Sequence, residues 1–362
     1  MAYKNKPLIS VVMSVYNSQD YIYPAIKSVL LQSFRDFEFL IMDDGSTDNS
    51  RTMLEDLASK DNRIKLFYQS NRGITYSLNR LICLAEGEFI ARIDADDISY
   101  PHRLAEQINY LLHYPKVGIV SSWFVNITSS GAPINCVCFP NDNRLIVGFL
   151  EKGINPFAHS SVMFRKELVN SLEVPYRFRS SQDFDLWLRM SSLTDFAIIN
   201  DVLVAIRQHN SNISSISQQR RLRVHDLILD MHCLRKQGLL DKDWQEREND
   251  IYSNFETGNP KSVKVDENYQ QGIAEQLNGN QKEARTNFRD SLKYSVRWKT
   301  ALRYLMTFLP PIISSWCIKL NNHRPIRYNN IYKYSFPIKN VLTEAQITNL
   351  EKFYGLIHKP CL

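Results

Sequence analysis

The sequence has few of the features that mark secreted, zinc-binding or membrane-spanning proteins. Its six cysteines include no Cys-x-x-Cys pair, and no Cys/His spacing suits a structural zinc ion. The first ten residues, MAYKNKPLIS, lack the apolar stretch of a secretory signal. No segment reaches the roughly 18–20 uninterrupted apolar residues of a membrane span. We therefore expect reduced thiols and a cytoplasmic location.

The composition is that of an ordinary globular protein. The chain has 362 residues, of which 44% are hydrophobic and 23% are charged, and its formal net charge is +6. This length is sufficient for more than one domain with a sizeable core. The positive charge favours an anionic partner, but it does not decide between a nucleotide, a membrane surface and a nucleic acid.

Short apolar runs alternate with helical patterns in the first half of the chain. The runs are rich in β-branched and aromatic residues and are too short for helices, which is typical of buried strands. They lie at residues 8–15, 37–42, 64–68 and 87–93. Such alternation with short connections predicts an α/β fold over residues 1–217, with a doubly wound, mostly parallel sheet and helices on both faces.

The pattern changes after residue 217, where strand-like runs fade and helical segments dominate. We predict a smaller, mainly α-helical C-terminal region over residues 218–362. Within it, residues 282–327 contain ten Lys or Arg against two acidic residues. This basic window favours peripheral contact with an anionic membrane surface. An ordinary amphipathic helix with a solvated charged face remains the alternative.

Polar residues follow each predicted strand. In doubly wound sheets, ligands bind beyond the carboxyl ends of the strands. Three carboxylates, Asp94, Asp96 and Asp97, follow the fourth strand within four residues. Carboxylates this close repel one another unless a cation or strong donors hold them. A divalent ion with oxygen ligands, Mn²⁺ or Mg²⁺, is the simplest explanation.

Five motifs together resemble family 2 glycosyltransferases of the GT-A fold. They are ISVVMSVYN, FLIMDDGSTD, NRGITYSLN, GEFIARIDADD and SQDFDLWLR, and the resemblance covers roughly residues 6–215. It implies inverting transfer of a sugar from a nucleotide-sugar donor, expected to be a UDP-sugar, with a divalent metal. It also implies a saccharide acceptor in surface polysaccharide synthesis, one that could be lipid-linked at the inner face of the membrane.

The resemblance assigns donor-binding residues motif by motif. Tyr16 would lie against the nucleobase, and Asp43 and Asp44 would contact the base or ribose. The loop of Asn71, Arg72 and Gly73 would close over the donor. Asp94 would contact the ribose or the donor sugar, Asp96 would bind the metal, and His209 would complete the metal site. Asp97 is left without a firm role.

Asp183 corresponds to the base that deprotonates the acceptor hydroxyl in this family. Its neighbour Gln182 stands where the family usually has an acidic residue, which puts any role of that first position in doubt. His159 and Asp185 are expected on the acceptor side.

Other functions remain open at this stage. A non-catalytic scaffold that binds a nucleotide sugar would fit the same motifs, but the metal-binding aspartates and the base are both present. A nucleotidyltransferase of similar fold would release pyrophosphate, and the Gly-rich triphosphate loop expected after the first strand is missing. Nucleic-acid binding is not expected, because the basic window lacks an interleaved aromatic platform.

Overall fold

The computed structural model describes residues 6–209, 218–239, 243–256, 281–294, 335–336, 338 and 341–357. The chain divides into two compact units, one formed by residues 1–216 with 328–362 and the other by residues 217–327. The sequence placed all of 218–362 in a separate C-terminal region. The structure groups the end of the chain with the first unit, because a strand and a helix from it join that unit's sheet and core.

The first unit contains ten strands and most of the helices of the described chain. Its strands are β1 Ile9–Val15, β2 Phe37–Asp43, β3 Ile64–Tyr68, β4 Phe89–Arg92, β5 Ile98–Ser99, β6 Val117–Ile127, β7 Pro133–Val137, β8 Met163–Arg165, β9 Asp195–Arg207 and β10 Ser335–Phe336. Its helices are α1 Ile22–Leu30, α2 Ser50–Lys60, α3 Ile74–Leu84, α4 Arg103–His113, α5 Asn143–Glu151, α6 Lys166–Asn170, α7 Gln182–Met190 and, near the end of the chain, α11 Glu344–Ile357, and a 3₁₀ turn spans His159–Ser161.

The first four strands form a parallel sheet, as the alternating pattern predicts. β1 lies between β2 and β4, and β3 lies outside β2. The full order is β10-β7-β6-β8-β4-β1-β2-β3, in which β8, β7 and β10 are added antiparallel. β9 runs parallel to β6 and pairs with β5. The α/β fold with a largely parallel sheet is confirmed.

The main core lies between this sheet and helices α1, α2 and α4. Alternate residues of β1, from Ile9 to Val15, pack with the apolar faces of these helices. Val12 and Leu40 are also buried, and their position in the alternation directs them to the opposite face of the sheet. There α3 contacts β1 and β2. Helices therefore cover both faces, which explains why the strands are apolar throughout.

A second core joins β5, β6 and β9 to the last helix, α11, at Glu344–Ile357. Its members are buried side chains from distant parts of the chain. They are Ile98, Tyr100, Val125, Ile127, Cys136, Val202, Ala205, Leu342, Phe353 and Ile357. Burial of this apolar surface attaches the end of the chain to the sheet.

The described part of the second unit is helical. It contains α8 Gln218–Lys236, α9 Trp244–Glu256 and α10 Gln281–Tyr294, and α8 packs against α9. Of the basic window 282–327, only the part in α10 belongs to the described residues. Among the helices of the described chain, none combines the length and the apolar character needed to cross a bilayer.

Two neighbouring residues of α11 test the attachment of this helix. Ile357 is fully buried, whereas Leu356 is 55% exposed. We expect Ile357→Ala to lower the free energy of unfolding by about 2–5 kcal/mol, because it leaves a cavity in the second core. Leu356→Ala should change it by less than about 0.5 kcal/mol. Urea unfolding of the full chain measures both, and equal effects would show that α11 is not packed as described.

Candidate active site

The carboxyl ends of the parallel strands meet at one edge of the sheet. Val15 pairs with Asp43, and Asp43 pairs with Tyr68, so β1, β2 and β3 end at the same level. β4 lies on the other side of β1 and ends at Arg92. The polar segments that follow these strands are therefore neighbours along this edge, where ligands bind in sheets of this kind.

Asp44 organises the loop that follows β3. Its carboxylate is buried, and its Oδ1 accepts hydrogen bonds from the Arg72 N–H at 2.8 Å and from the Gln69 amide at 2.7 Å. Its Oδ2 accepts from the Gly73 N–H at 2.8 Å. These three bonds occupy most of the acceptor capacity of a carboxylate. Asp44 thus shapes the loop, whereas the sequence expected it to contact the base or ribose.

The turn after β2 fits tightly against the same loop. Asp43 is buried, and its Oδ1 accepts a hydrogen bond from the Ser46 N–H at 3.0 Å. Gly45 has a φ of 78°, and a Cβ there would lie 2.8 Å from the Asn71 nitrogen. Only glycine combines this backbone conformation with such a close approach.

Several side chains assigned to the donor remain exposed at this edge. Tyr16 is 47% exposed, and Asn71, Arg72 and Gly73 are exposed as well. The Arg72 guanidinium lies 3.6 Å from the centre of the Tyr76 ring, an arrangement that orients its charge. An exposed aromatic ring and an oriented cation suit a nucleobase and a phosphate.

The three aspartates after β4 form a compact acidic cluster. Asp94, Asp96 and Asp97 can each offer one oxygen, and these atoms lie within 4.8 Å of one another. The pKa of Asp96 is raised, mainly by burial and to a lesser extent by the charge of Asp94. Burial and the charges of Asp96 and Asp94 raise the pKa of Asp97 well above its usual range. Positive charge placed among these oxygens would favour their ionised forms.

Buried arginines provide such charge from within the protein. Arg92, Arg103 and Arg207 are among the largest fully buried side chains of the described structure. Arg92 donates from Nη2 to Asp94 Oδ1 and from Nη1 to Ser160 Oγ, the latter at 3.0 Å. Arg103 donates to the Arg92 carbonyl at 2.7 Å. Burial, with the charge of Arg92, lowers the pKa of Arg103 to about 9, so it stays charged at neutral pH.

Asp97 has a structural role that the sequence did not indicate. It is 3% exposed, and its Oδ1 accepts a hydrogen bond from the Arg207 N–H at 2.8 Å. Its Oδ2 accepts from Ser160 Oγ at 2.5 Å. Both oxygens are therefore engaged, and Asp97 fastens the acidic loop to the end of β9 and to the 3₁₀ turn.

The structure brings together the two residues that the resemblance assigns to the metal. His209 Nε2 lies 2.9 Å from Asp96 Oδ2, and the His209 ring packs 4.8 Å from the Tyr21 ring. Adjacent ligands of an octahedral Mg²⁺ are about 3 Å apart when each lies about 2.1 Å from the ion. Asp96 and His209 thus fit a divalent ion such as Mn²⁺ or Mg²⁺ in chemistry and in mutual spacing, and an oxygen of Asp94 lies within 4.8 Å of an Asp96 oxygen.

Asp183 lies at the start of α7, partly exposed, with one oxygen held in place. Its Oδ2 accepts a hydrogen bond from the Asn155 side-chain amide at 2.8 Å. Burial raises the pKa of Asp183, while the Phe184 N–H, the charge of Arg92 and the Asn155 amide oppose that rise. A carboxylate with a raised pKa is a stronger base than an ordinary aspartate, which suits proton abstraction at neutral pH.

The two residues expected on the acceptor side differ in their surroundings. Asp185 is fully buried, and its Oδ2 accepts a hydrogen bond from Arg189 Nε at 2.8 Å. The Asp185 carboxylate is therefore enclosed in an ion pair within α7, and its place on the acceptor side stays a prediction. His159 is only partly buried, with Nε2 2.8 Å from the Tyr176 hydroxyl. Burial, with the charge of Arg92, holds the pKa of His159 well below its usual range, so the ring is neutral.

Sequence reasoning missed four residues that build this site: Arg92, Ser160, Arg207 and Asn155. Arg92 did carry a signal, because an arginine inside the apolar run FIARI must find a partner when the strand is buried. Ser160 and Asn155 are single polar residues in an irregular segment. Nothing local predicts that Ser160 contacts Asp94, 66 positions away in the sequence.

The known proteins that this chain resembles in sequence are glycosyltransferases. A family model described as glycosyl transferase family 2 matches residues 10–172. EpsE of Bacillus subtilis, which is named as a glycosyltransferase, is 35% identical over 191 residues, covering 51% of this chain and 66% of EpsE. The O-antigen biosynthesis glycosyltransferase WbnJ of Escherichia coli is 31% identical over 186 residues, covering 51% of this chain and 71% of WbnJ.

A solved structure supports the GT-A fold independently. TarS of S. aureus, residues 1–349 in complex with UDP-GlcNAc, aligns with a TM-score of 0.51 at 17% sequence identity. The alignment covers 79% of this chain and 89% of the TarS chain. At 17% sequence identity the likeness to TarS shows the fold alone. The family is shown by the relatives that are similar in sequence. The chain is a glycosyltransferase and belongs to glycosyltransferase family 2.

Proposed function

We propose that the protein transfers a sugar, with inversion, from a UDP-sugar to a hydroxyl of a saccharide acceptor, and that it uses Mn²⁺ or Mg²⁺. The observation that carries this proposal is the position of Arg92. Its guanidinium bonds Asp94 on the donor side, and its charge also acts on Asp183. One buried cation therefore acts on both the donor carboxylate and the base, which supports a reaction between two substrates bound side by side.

Exposed groups at the ends of β1 and β3 provide the donor site. Tyr16 can stack on the base, and Arg72 can contact the base or a phosphate. Asp43 is a candidate for the base or ribose through the carboxylate oxygen that does not bond Ser46. Asp94 is placed to contact the ribose or donor sugar, oriented by Arg92. These assignments rest on the exposure of Tyr16 and Arg72 and on the buried support beneath Asp94.

Asp96 and His209 would hold the divalent ion, with Asp94 nearby. When bound, the ion would neutralise charge that develops on the diphosphate as the bond to the sugar breaks. The chain's own part is to keep these ligands in place. Asp97 and Arg207 do so by fixing the loop before a donor arrives.

Asp183 would act as the general base. It would accept the proton of the acceptor hydroxyl while that oxygen bonds the anomeric carbon on the face opposite the diphosphate. The bond between the sugar and the diphosphate breaks in the same step, and the nucleoside diphosphate leaves with the electron pair. His159 is neutral and hydrogen-bonded to Tyr176, so it would contact an acceptor as a polar group without charge.

The acceptor is proposed to belong to a surface polysaccharide, attached to a lipid carrier. The relative named for O-antigen biosynthesis supports this class of acceptor. A lipid-linked acceptor would be reached at the inner face of the cell membrane, with the enzyme in the cytoplasm and the basic window 282–327 in peripheral contact with the surface. The exposed Lys282 and Arg289 in α10 support such contact.

Substitution of the base tests the proposed reaction. We expect Asp183→Asn to lower kcat by about 10²–10⁴-fold, because it removes the proton acceptor, and to leave binding of the nucleoside diphosphate intact. Asp201→Asn is the matched control, since Asp201 is an exposed aspartate whose carboxylate accepts a hydrogen bond from the neighbouring Val202 N–H. It should behave as the unaltered enzyme.

The released product is measured in the same assay, using a panel of nucleotide sugars as donors. Release of nucleoside diphosphate supports glycosyl transfer, and release of pyrophosphate would indicate a nucleotidyltransferase. Binding without any turnover in the unaltered chain would indicate a non-catalytic scaffold. Normal turnover of Asp183→Asn would remove Asp183 from its assigned role.

The hydrogen bond from Asn155 predicts a shift in the pH profile. This bond stabilises the ionised form of Asp183, so Asn155→Ala should raise the pKa of the base further. Activity requires the ionised base and falls as the pH drops below that pKa. The acid limb of kcat should therefore move to higher pH. Asn62→Ala, at an exposed asparagine, should leave the profile unchanged, and an identical profile for Asn155→Ala would contradict the assignment.

Charge reversal in α10 tests the membrane contact. The full chain should sediment with phosphatidylglycerol vesicles and leave phosphatidylcholine vesicles in solution. The pair Lys282→Glu and Arg289→Glu should weaken vesicle binding by at least about 10-fold, since each basic residue near an anionic surface contributes about 1 kcal/mol. The control pair, Lys116→Glu and Arg144→Glu, has the same change in charge on exposed residues of the first unit. Equal loss in both pairs would indicate a general effect of net charge.

A further inference from the structure

The end of the chain, which lies outside the family match, contacts residues that support the acidic loop of the candidate active site. β10 pairs with β7, and the buried Phe353 and Ile357 attach α11 to the second core. Tyr354 lies between these two anchors on the same helix. Its hydroxyl accepts a hydrogen bond from Arg207 Nη1 at 3.0 Å.

Two aromatic rings and several oxygens enclose the Arg207 guanidinium. Its carbon lies 4.9 Å from the centre of the Tyr21 ring and 5.9 Å from the centre of the Tyr354 ring. Nη1 also donates to the Ser129 carbonyl at 2.8 Å. Arg207 is 1% exposed, so its hydrogen bonds within the protein take the place of hydrogen bonds to water.

The same arginine holds the acidic loop by two further bonds. Its Nε donates to the Asp96 carbonyl at 2.8 Å, and its backbone N–H donates to Asp97 Oδ1 at 2.8 Å. His209 follows two residues later and contacts the Asp96 carboxylate. Arg207 consequently influences both proposed metal ligands. Its side chain holds the backbone at Asp96, and its own backbone lies two residues before His209.

The turn before β7 is built to receive the Tyr354 ring. Gly131 has a φ of 91°, and a Cβ there would lie 1.8 Å from the ring carbon that bears the hydroxyl. Any other residue at this position would collide with Tyr354. The turn that contains Gly131 and the side chain of Arg207 thus both contact Tyr354 of α11, and Arg207 in turn contacts the acidic loop.

We infer that Tyr354 is a positioning residue for the metal site, acting through Arg207 on Asp96 and His209. Loss of its hydroxyl removes one of the acceptors that hold Nη1, and the Ser129 carbonyl remains. The guanidinium then keeps fewer of the contacts that orient Nε toward Asp96. The metal ligands become less well ordered, and the ion binds more weakly, as follows when an outer partner of a metal ligand is lost. The inference rests on the divalent ion of the proposed function.

The test compares Tyr354→Phe with Tyr114→Phe in the full chain. Tyr114 is 52% exposed, so its substitution controls for the loss of a tyrosine hydroxyl away from the site. Mn²⁺ binding is measured without donor, by titration with detection of free Mn²⁺ by electron paramagnetic resonance. The temperature is chosen where thermal melting shows both variants folded. We expect Tyr354→Phe to weaken Mn²⁺ binding by about 10-fold and the control to leave it unchanged.

Activity measured at several Mn²⁺ concentrations distinguishes a positioning role of Tyr354 from a general loss of structure. The activity of Tyr354→Phe should fall at limiting Mn²⁺ and return toward that of the control at saturating Mn²⁺. In an Arg207→Lys background, Tyr354→Phe should cause no additional loss, because lysine cannot make the same set of bonds. Losses that multiply in the double variant would show that Tyr354 acts independently of Arg207 and would overturn the inference.

The outcomes also distinguish this inference from the proposed function. If the unaltered chain binds no Mn²⁺ or Mg²⁺, the metal-dependent part of the proposed function fails, and the inference fails with it. If the unaltered chain binds the ion and Tyr354→Phe binds it equally well, the inference alone is overturned. An activity loss that is the same at all Mn²⁺ concentrations would likewise assign Tyr354 to packing.

Discussion

The balance of buried charge at the end of β4 is the constraint on which the rest of the site depends. Three aspartates follow that strand within four residues, and Arg92, Arg103 and Arg207 are buried around them. A buried charge without a partner costs several kcal/mol, so neither set is tolerable without the other. Each arginine comes from a different element, namely β4, α4 and β9. The charge balance therefore fixes the relative positions of these three elements and, with them, the shape of the acidic loop.

This balance is incomplete, and the remaining imbalance is useful for catalysis. Burial raises the pKa of Asp96 despite the contact with His209, and it raises the pKa of Asp183 despite the charge of Arg92. At Asp96 the unfavourable electrostatics favour binding of a cation, because positive charge there relieves the repulsion from Asp94. At Asp183 the same kind of environment gives a stronger base. The fold thus accepts carboxylates in unfavourable surroundings at the two positions proposed for the metal ligand and for the base.

Sequence reasoning predicted the parallel strands and the grouping of polar residues at their ends, because both follow from local periodicity and from the geometry of a parallel sheet. The family resemblance added the pairing of Asp96 with His209. What could not be predicted depends on tertiary partners. Asp185 is expected on the acceptor side from its motif, and its ion pair with Arg189, one turn along α7, is a contact that the motif does not reveal. The role of Asp97 became clear only from contacts with Ser160 and with Arg207, which is 110 residues away.

The family match ends at residue 172, yet the site continues beyond it. Asp183, Arg207 and His209 lie in the following segment, and α11 approaches from the end of the chain. A segment that packs behind a binding loop can alter the loop without contacting the substrate, since close-packed interiors transmit small displacements. The C-terminal segment that holds β10 and α11 therefore contributes to the support of the acidic loop although it lies outside the family match. In this chain the position of Tyr354 behind Arg207 makes that segment part of the catalytic domain rather than an appendage to it.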